Sequence, residues 1–179
     1  MPLDPPPPPL VEGAGLRLRL AKESDIATLH AIVQEPEIAP WWPLEEARHE
    51  EFMHPEAPTY VIEIDGEPTG LLMFHEEAEP DYRSAGMDVA VSQRFHGHGI
   101  GRRALVAMAR HLFTERGHHR LTIDPAARNA RAIACYERIG FRPVGIMRAY
   151  ERAPDGTWRD GLLMDMLATE LLEESEPTG

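Results

Sequence analysis

Cysteine is almost missing from this sequence of 179 residues, with Cys135 as the lone example. One thiol excludes an internal disulfide and any zinc site assembled from several cysteines. Cations are scarce as well: 18 Lys plus Arg stand against 30 Asp plus Glu, a formal net charge of −12. Neutralising nucleic-acid phosphates requires a basic surface, so this balance argues against a nucleic-acid partner. An acidic surface suits a cationic substrate, and it serves solubility equally well. Apolar runs long enough to span a membrane are lacking, and the amino end lacks the basic-then-apolar order of a signal peptide. The expectation is a cytoplasmic protein with no membrane partner. What is present, 42% hydrophobic residues over this length, suffices for one domain with a proper core.

Proline is concentrated at the amino end, where Met1 to Leu10 offers no apolar face to bury and reads as a solvated polyproline II-like tail. An acidic tail is expected from Leu171, so the organisation reads as tail 1–12, domain 13–170 and tail 171–179. Leu16-Arg17-Leu18-Arg19-Leu20 alternates with period two, a strand with one packed face. Ser24 or Asp25 then caps a helix carrying Ile26, Leu29, Ile32 and Val33, which ends before Pro36. Trp41-Trp42, bracketed by Pro40 and Pro43, is either a core plug or the wall of a substrate pocket, and Leu44 to Met53 reads as an acidic amphipathic helix. Tyr60 to Ile64, the Asp65-Gly66 turn and Thr69 to Phe74 form a hairpin. The acids Glu76, Glu77, Glu79 and Asp81 follow, a solvated loop unless it folds over a pocket.

A short β-favouring run, Met87 to Val91, leads into Ser92-Gln93-Arg94-Phe95-His96-Gly97-His98-Gly99-Ile100-Gly101 and then a helix to about Glu115. Unpaired N–H groups at a helix start, approached through glycines and flanked by Arg94, Arg102 and Arg103, make an anion site. The spacing matches neither a P-loop, which needs Lys and Ser/Thr after its last glycine, nor the G-x-G-x-x-G of dinucleotide sites. Downstream, Leu121 to Asp124 is a strand, Asn129 to Phe141 a short helix capped by Gly140, and Val144 to Leu167 a hairpin turning at Asp155-Gly156. His96, His98, His118 and His119 lack a supporting set of acids or thiols, so no metal site is expected.

Arg94-x-x-Gly97-x-Gly99 resembles the pyrophosphate loop of the GNAT acetyltransferases, and Asn129-x-Arg131-Ala-x-x-x-Tyr136-Glu-x-x-Gly140-Phe141 is similar to their second signature. Within that superfamily the chain looks most like the aminoglycoside 6'-N-acetyltransferases. Trp41-Trp42, Tyr60 with the Asp65-Gly66 turn, Asp88 and Asp124-Pro125 carry that likeness. The resemblance implies an α/β fold with a mixed, twisted and splayed central sheet flanked by helices. It also implies acetyl-coenzyme A as cofactor, a small cationic amine as partner, and a monomer or homodimer.

On the same resemblance the cofactor would lie against Arg94, His96, Gly97, His98, Gly99, Ile100, Gly101 and Arg102. The backbone amides of Val89 and Val91, where a GNAT strand bulges, would meet its acetyl and pantetheine arm, with Asn129, Arg131 and Tyr136 on the same molecule. The amine would meet Trp41, Trp42, Tyr60 and Glu79. Asp88 is the expected base and Asp124 the anchor, roles that can be exchanged, with Tyr136 as the acid. Cys135 is expected to face away as a buried thiol. Other acceptors (a protein N-terminus, a polyamine, a siderophore precursor) and a coenzyme A binding module without catalysis are the alternatives.

Overall fold

Alternation and turn chemistry lay down most of one sheet in the computed structural model, which describes residues 8, 10–13, 15–42 and 52–172. Strands β1 (Leu10–Gly13) and β2 (Leu16–Leu20) pair antiparallel, followed by helix α1 (Ile26–Val33). The hairpin of β3 (Thr59–Ile64) and β4 (Glu67–Glu77) turns at Asp65 and Gly66, whose φ of 52° and 77° are what a two-residue hairpin turn requires. Strand β5 (Ser84–Val91) leads through the glycine loop to helix α2 (Ile100–Thr114). Then come β6 (Arg120–Ile123), helix α3 (Ala130–Glu137), β7 (Arg142–Arg152) and β8 (Trp158–Leu167).

The strands lie in the order β1-β2-β3-β4-β5-β6-β8-β7, and the one parallel contact, β5 with β6, decides the architecture. These two strands pair only at Ala85 with Leu121 and at Gly86 with Thr122. Beyond that point β5 continues to Val91 against β4 alone, while β6 stops at Ile123 before Asp124-Pro125. The sheet therefore parts into two halves with an opening between them.

Helix α2 covers one face. Its Leu105, Met108 and Leu112 are fully buried against Leu18, Ile62, Phe74 and Met87, each contributing about 2 kcal/mol. That burial fixes the N-terminus of α2 at the opening. On the other face α1 packs Leu29, Ile32 and Val33 against Val61, Leu71 and Ala90, joined by Ile38 and Phe52.

Two features differ from the sequence expectations. The sheet begins at Leu10 rather than at Leu16, because Val11 is buried and β1 pairs with β2 along its whole length. Four residues are too few to show an alternation. The acidic run after Phe74 is in part strand: Glu76 belongs to β4 and is bound by Arg116 and His118 beyond the end of α2. The helix expected from Leu44 to Met53, and both tails, fall mostly outside the described residues.

Candidate active site

The opening between β5 and β6 is the mouth of a cleft of about 1460 Å³, lined from both faces of the sheet. From the α2 and α3 side come the glycine loop and the α3 helix; from the α1 side come Glu37, Trp41, Trp42 and His75; Asp88 stands on β5 and Asp124 just past the end of β6.

The glycine loop holds its shape through backbone sign. Gly97 and Gly99 have φ of 83° and 70°, and Gly99 stands immediately before α2 as its cap. A Cβ at either would meet nothing within 4 Å, so conformation rather than crowding calls for glycine here. The first helical bond of α2 is Arg103 N–H to the Gly99 carbonyl at 3.0 Å, which leaves the amides of Ile100 and Gly101 with no acceptor inside the helix. These amides, with the positive end of the helix dipole behind them, fit a phosphate. Arg102, Arg128, Arg131 and Arg138 add cations to the cleft wall.

His96 ties this loop to its neighbours. Its Nε2–H donates to the Val91 carbonyl at 2.8 Å, while Nδ1 lies 3.0 Å from Glu37 Oε2 and 2.9 Å from Arg131 Nη1. The segment before Trp41, the loop and α3 are thereby joined at one point.

Asn129 caps α3, its side-chain oxygen accepting the Ala132 N–H at 3.2 Å. At the other end Phe141 N–H reaches the Tyr136 carbonyl and Gly140 N–H the Glu137 carbonyl, a Schellman turn with Gly140 at φ 115°. Between these caps Tyr136 is 8% exposed, edge-on to Phe141 with ring centroids 6.3 Å apart, and lines the cleft. Burial pushes its phenol above the ordinary value, and Cys135, Asp88 and Asp124 push the same way. The proton stays on at neutral pH.

Asp88 is exposed on β5 opposite Met73, and Asp124 follows β6. The Tyr150 hydroxyl, on β7, donates to the Asp124 carboxylate, and that bond heads the causes that push the Tyr150 phenol up to about 12. Glu151 lines the cleft beside it. The acids thus gather around Tyr136 and Tyr150, and arginines 102, 131 and 138 around Cys135.

Trp41, Trp42, Asp88, Val89, Val91, His96, Gly97, Gly99, Ile100, Gly101, Arg102, Asp124, Asn129, Arg131 and Tyr136 line the cleft, while four expected residues do not. Tyr60 is fully buried between the sheet and α2, where alternation along β3 turns it, and its hydroxyl donates to the Pro8 carbonyl at 2.7 Å. Glu79 sits in the exposed turn after β4, because Glu76 is drawn onto Arg116. Arg94 extends away to Glu67 at 2.8 Å, and His98 is exposed outside the cleft. The expected bulge at Val89 to Val91 is replaced by unbroken pairing with β4, the opening coming from the departure of β6. Cys135, expected to face away, is half-buried and lines the cleft; burial holds its thiol above the ordinary value, so it stays protonated.

Glu37, His75, Tyr150 and Glu151 were not anticipated. The positive φ in the bulge that aims Tyr150 falls on an alanine, which carries no turn signal, and 59 positions separate Glu37 from His96 in the chain.

A mixed sheet split at a parallel pair, with a glycine-capped helix start and a buried phenol at the split, is the arrangement of an α/β acyltransferase that takes its acyl group from coenzyme A. The family model described as "Acetyltransferase (GNAT) domain" matches residues 21–149, and the chain belongs to this family. Its members use acetyl-coenzyme A, and this chain is an acetyltransferase enzyme. It is 29% identical over 161 residues to aminoglycoside N(6')-acetyltransferase type 1 of Klebsiella pneumoniae, covering 78% of each chain. It is 23% identical over 173 residues to spermidine N(1)-acetyltransferase of Escherichia coli (strain K12), covering 92% of each. Among solved structures, Mycobacterium smegmatis RimJ in complex with CoA-disulfide superposes with a TM-score of 0.78 at 28% identity, over 93% of this chain and 89% of that one. Among the described residues no helix is long and apolar enough to cross a membrane.

Proposed function

We propose that the chain acetylates a primary amine of a small polycation of aminoglycoside type, by direct attack on the thioester. The observation that carries the reading is the pairing of Asp88 and Asp124 on opposite sides of the split, both within electrostatic reach of the Tyr136 phenol. The similarity to an aminoglycoside acetyltransferase supports the same substrate class.

Acetyl-coenzyme A supplies the acetyl group in activated form. The amides of Ile100 and Gly101 and the arginines of the cleft wall fit its diphosphate, and the side-chain N–H₂ of Asn129 can bond its arm while Oδ1 caps α3. Asp88 takes one proton from the incoming ammonium and releases it to solvent, because only the neutral amine has a lone pair for the carbonyl carbon. Asp124 holds a second ammonium of the polycation. As the C–N bond forms and the C–S bond breaks, Tyr136 Oη gives its proton to the departing sulfur and recovers one from the acylated nitrogen. One proton leaves per turnover.

Release of free thiol from acetyl-coenzyme A, measured across kanamycin-like sugars, spermidine and a peptide N-terminus, tests the reading. Turnover is expected with the sugars. Turnover with the peptide and none with the sugars overturns it, and a preference for spermidine moves the substrate to linear polyamines, the second reading, which the spermidine acetyltransferase likeness supports.

A further inference from the structure

Strand β7 carries a distortion that serves one side chain. Its register against β8 breaks between Met147 and Glu151, and Ala149 within the break has φ 47°, a left-handed conformation that residues with a Cβ rarely adopt. The carboxylate of Asp160 on β8 accepts the Ala149 N–H at 2.8 Å and holds the kink. Gly161 then supplies the room, since a Cβ there would stand 2.7 Å from Tyr150 Cδ1. The outcome is a phenol carried to the Asp124 carboxylate across the mouth of the cleft. Outliers of this kind persist where the surrounding structure over-determines them, at positions that aim a functional group.

We infer that Tyr150 is a specificity-determining residue of the acceptor site: by binding the Asp124 carboxylate it fixes that group as the ammonium anchor and leaves proton removal to Asp88. A carboxylate oxygen that already holds a phenol proton has a lone pair fewer with which to take the amine's proton, yet it keeps the charge that attracts an ammonium. The groups facing Tyr150 are Asp124 after β6, Asp88 on β5 and Glu151 on its own strand, with Asp160 behind on β8. All are acids, and the three that act on Tyr150 each keep its phenol protonated. The inference rests on the amine-acetylation reading above.

Tyr150→Phe keeps the ring over Gly161 and removes only the hydroxyl. With the preferred amine of the panel, KM for that amine should rise about tenfold, the worth of one hydrogen bond to a charged group, with kcat little changed. The acid limb of the pH–rate profile should stay in place. Movement of that limb to higher pH would show the freed carboxylate to be the base, and an unchanged KM would show that Tyr150 does not serve the acceptor; either result overturns the inference. A second readout needs no turnover. In NMR titration of isotope-labelled tyrosine, the Tyr150 signal, assigned by its loss in Tyr150→Phe, should titrate closer to an ordinary phenol, about 10, once Asp124→Asn is introduced. No movement there also overturns it. If the wild type acetylates no amine, the functional reading fails, while the titration still decides the Tyr150–Asp124 pair.

Discussion

Tyr136 keeps its proton because the protein surrounds it with apolar neighbours and acids, and each of those neighbours makes a phenolate costlier than a phenol. Tyr136→Phe should preserve the edge contact with Phe141 and lower kcat on the order of 100-fold, the usual size of a general-acid contribution. Coenzyme A affinity, measured by calorimetry, should be unchanged. Equal kcat in the variant would remove the acid role. Asp88 gives a complementary expectation: Asp88→Asn should abolish the acid limb of kcat/KM, and an unaltered profile would return the base role to Asp124. The places of Tyr136 and Asp88 in the cleft were readable from the chain, since both belong to a resemblance with defined positions. That of Tyr150 was not, because nothing in the chain before it signals the kink that turns it to Asp124.

Elements divide their glycines between binding and folding. Gly99 at φ 70° has open space around its missing Cβ, so Gly99→Ala should leave the packing of α2 intact and cost about 1–2 kcal/mol of loop geometry. The expected result is coenzyme A binding about tenfold weaker, with a fall in the urea midpoint smaller than that of Gly140→Ala. Gly140→Ala should behave in the opposite sense. Its Cβ would stand 2.2 Å from the Glu170 carbonyl oxygen and 3.0 Å from Met166 sulfur, so the fold itself should be destabilised. Urea unfolding of the two variants separates the cases, and a Gly140→Ala chain as stable as the wild type would contradict the assigned packing. Both glycines were legible in sequence as helix boundaries. The difference in their duties was not, because it depends on what lies opposite each one.

At the scale of the whole molecule, stability and site are tied to charge. Burial pushes the Glu76 carboxyl up, but hydrogen bonds from His118 and Arg116 outweigh it and hold the group down, from 4.5 to about 2. A depressed carboxyl contributes stability that is fully present above its unfolded value and is lost as pH falls toward the folded one. The urea midpoint should therefore drop between pH 4.5 and about 2. Glu76→Gln should flatten that drop and cost on the order of 3 kcal/mol at neutral pH by stranding Arg116 and the buried His118. A variant with the wild-type pH dependence would show the cluster to be incidental. The acidic run after Phe74 carries no sign of this cluster, because Arg116 and His118 are some forty residues away in the chain.

What the sequence determined by itself was local. Period-two alternation placed the strands, the Asp-Gly turn and the glycines at helix ends placed their limits, and the two glycine-bearing motifs placed a glycine-led helix start at Ile100 and a phenol on a short helix. Tertiary structure decided everything that depends on which elements lie side by side. The departure of β6 from β5 after two residue pairs opens the cleft. The burial of Tyr60 beneath α2 removes it from the substrate side, and the kink at Ala149 brings Tyr150 to Asp124. The physical reason is range: backbone propensity and capping act over a turn or two of chain, whereas a cleft is made by contacts between residues that the sequence keeps far apart.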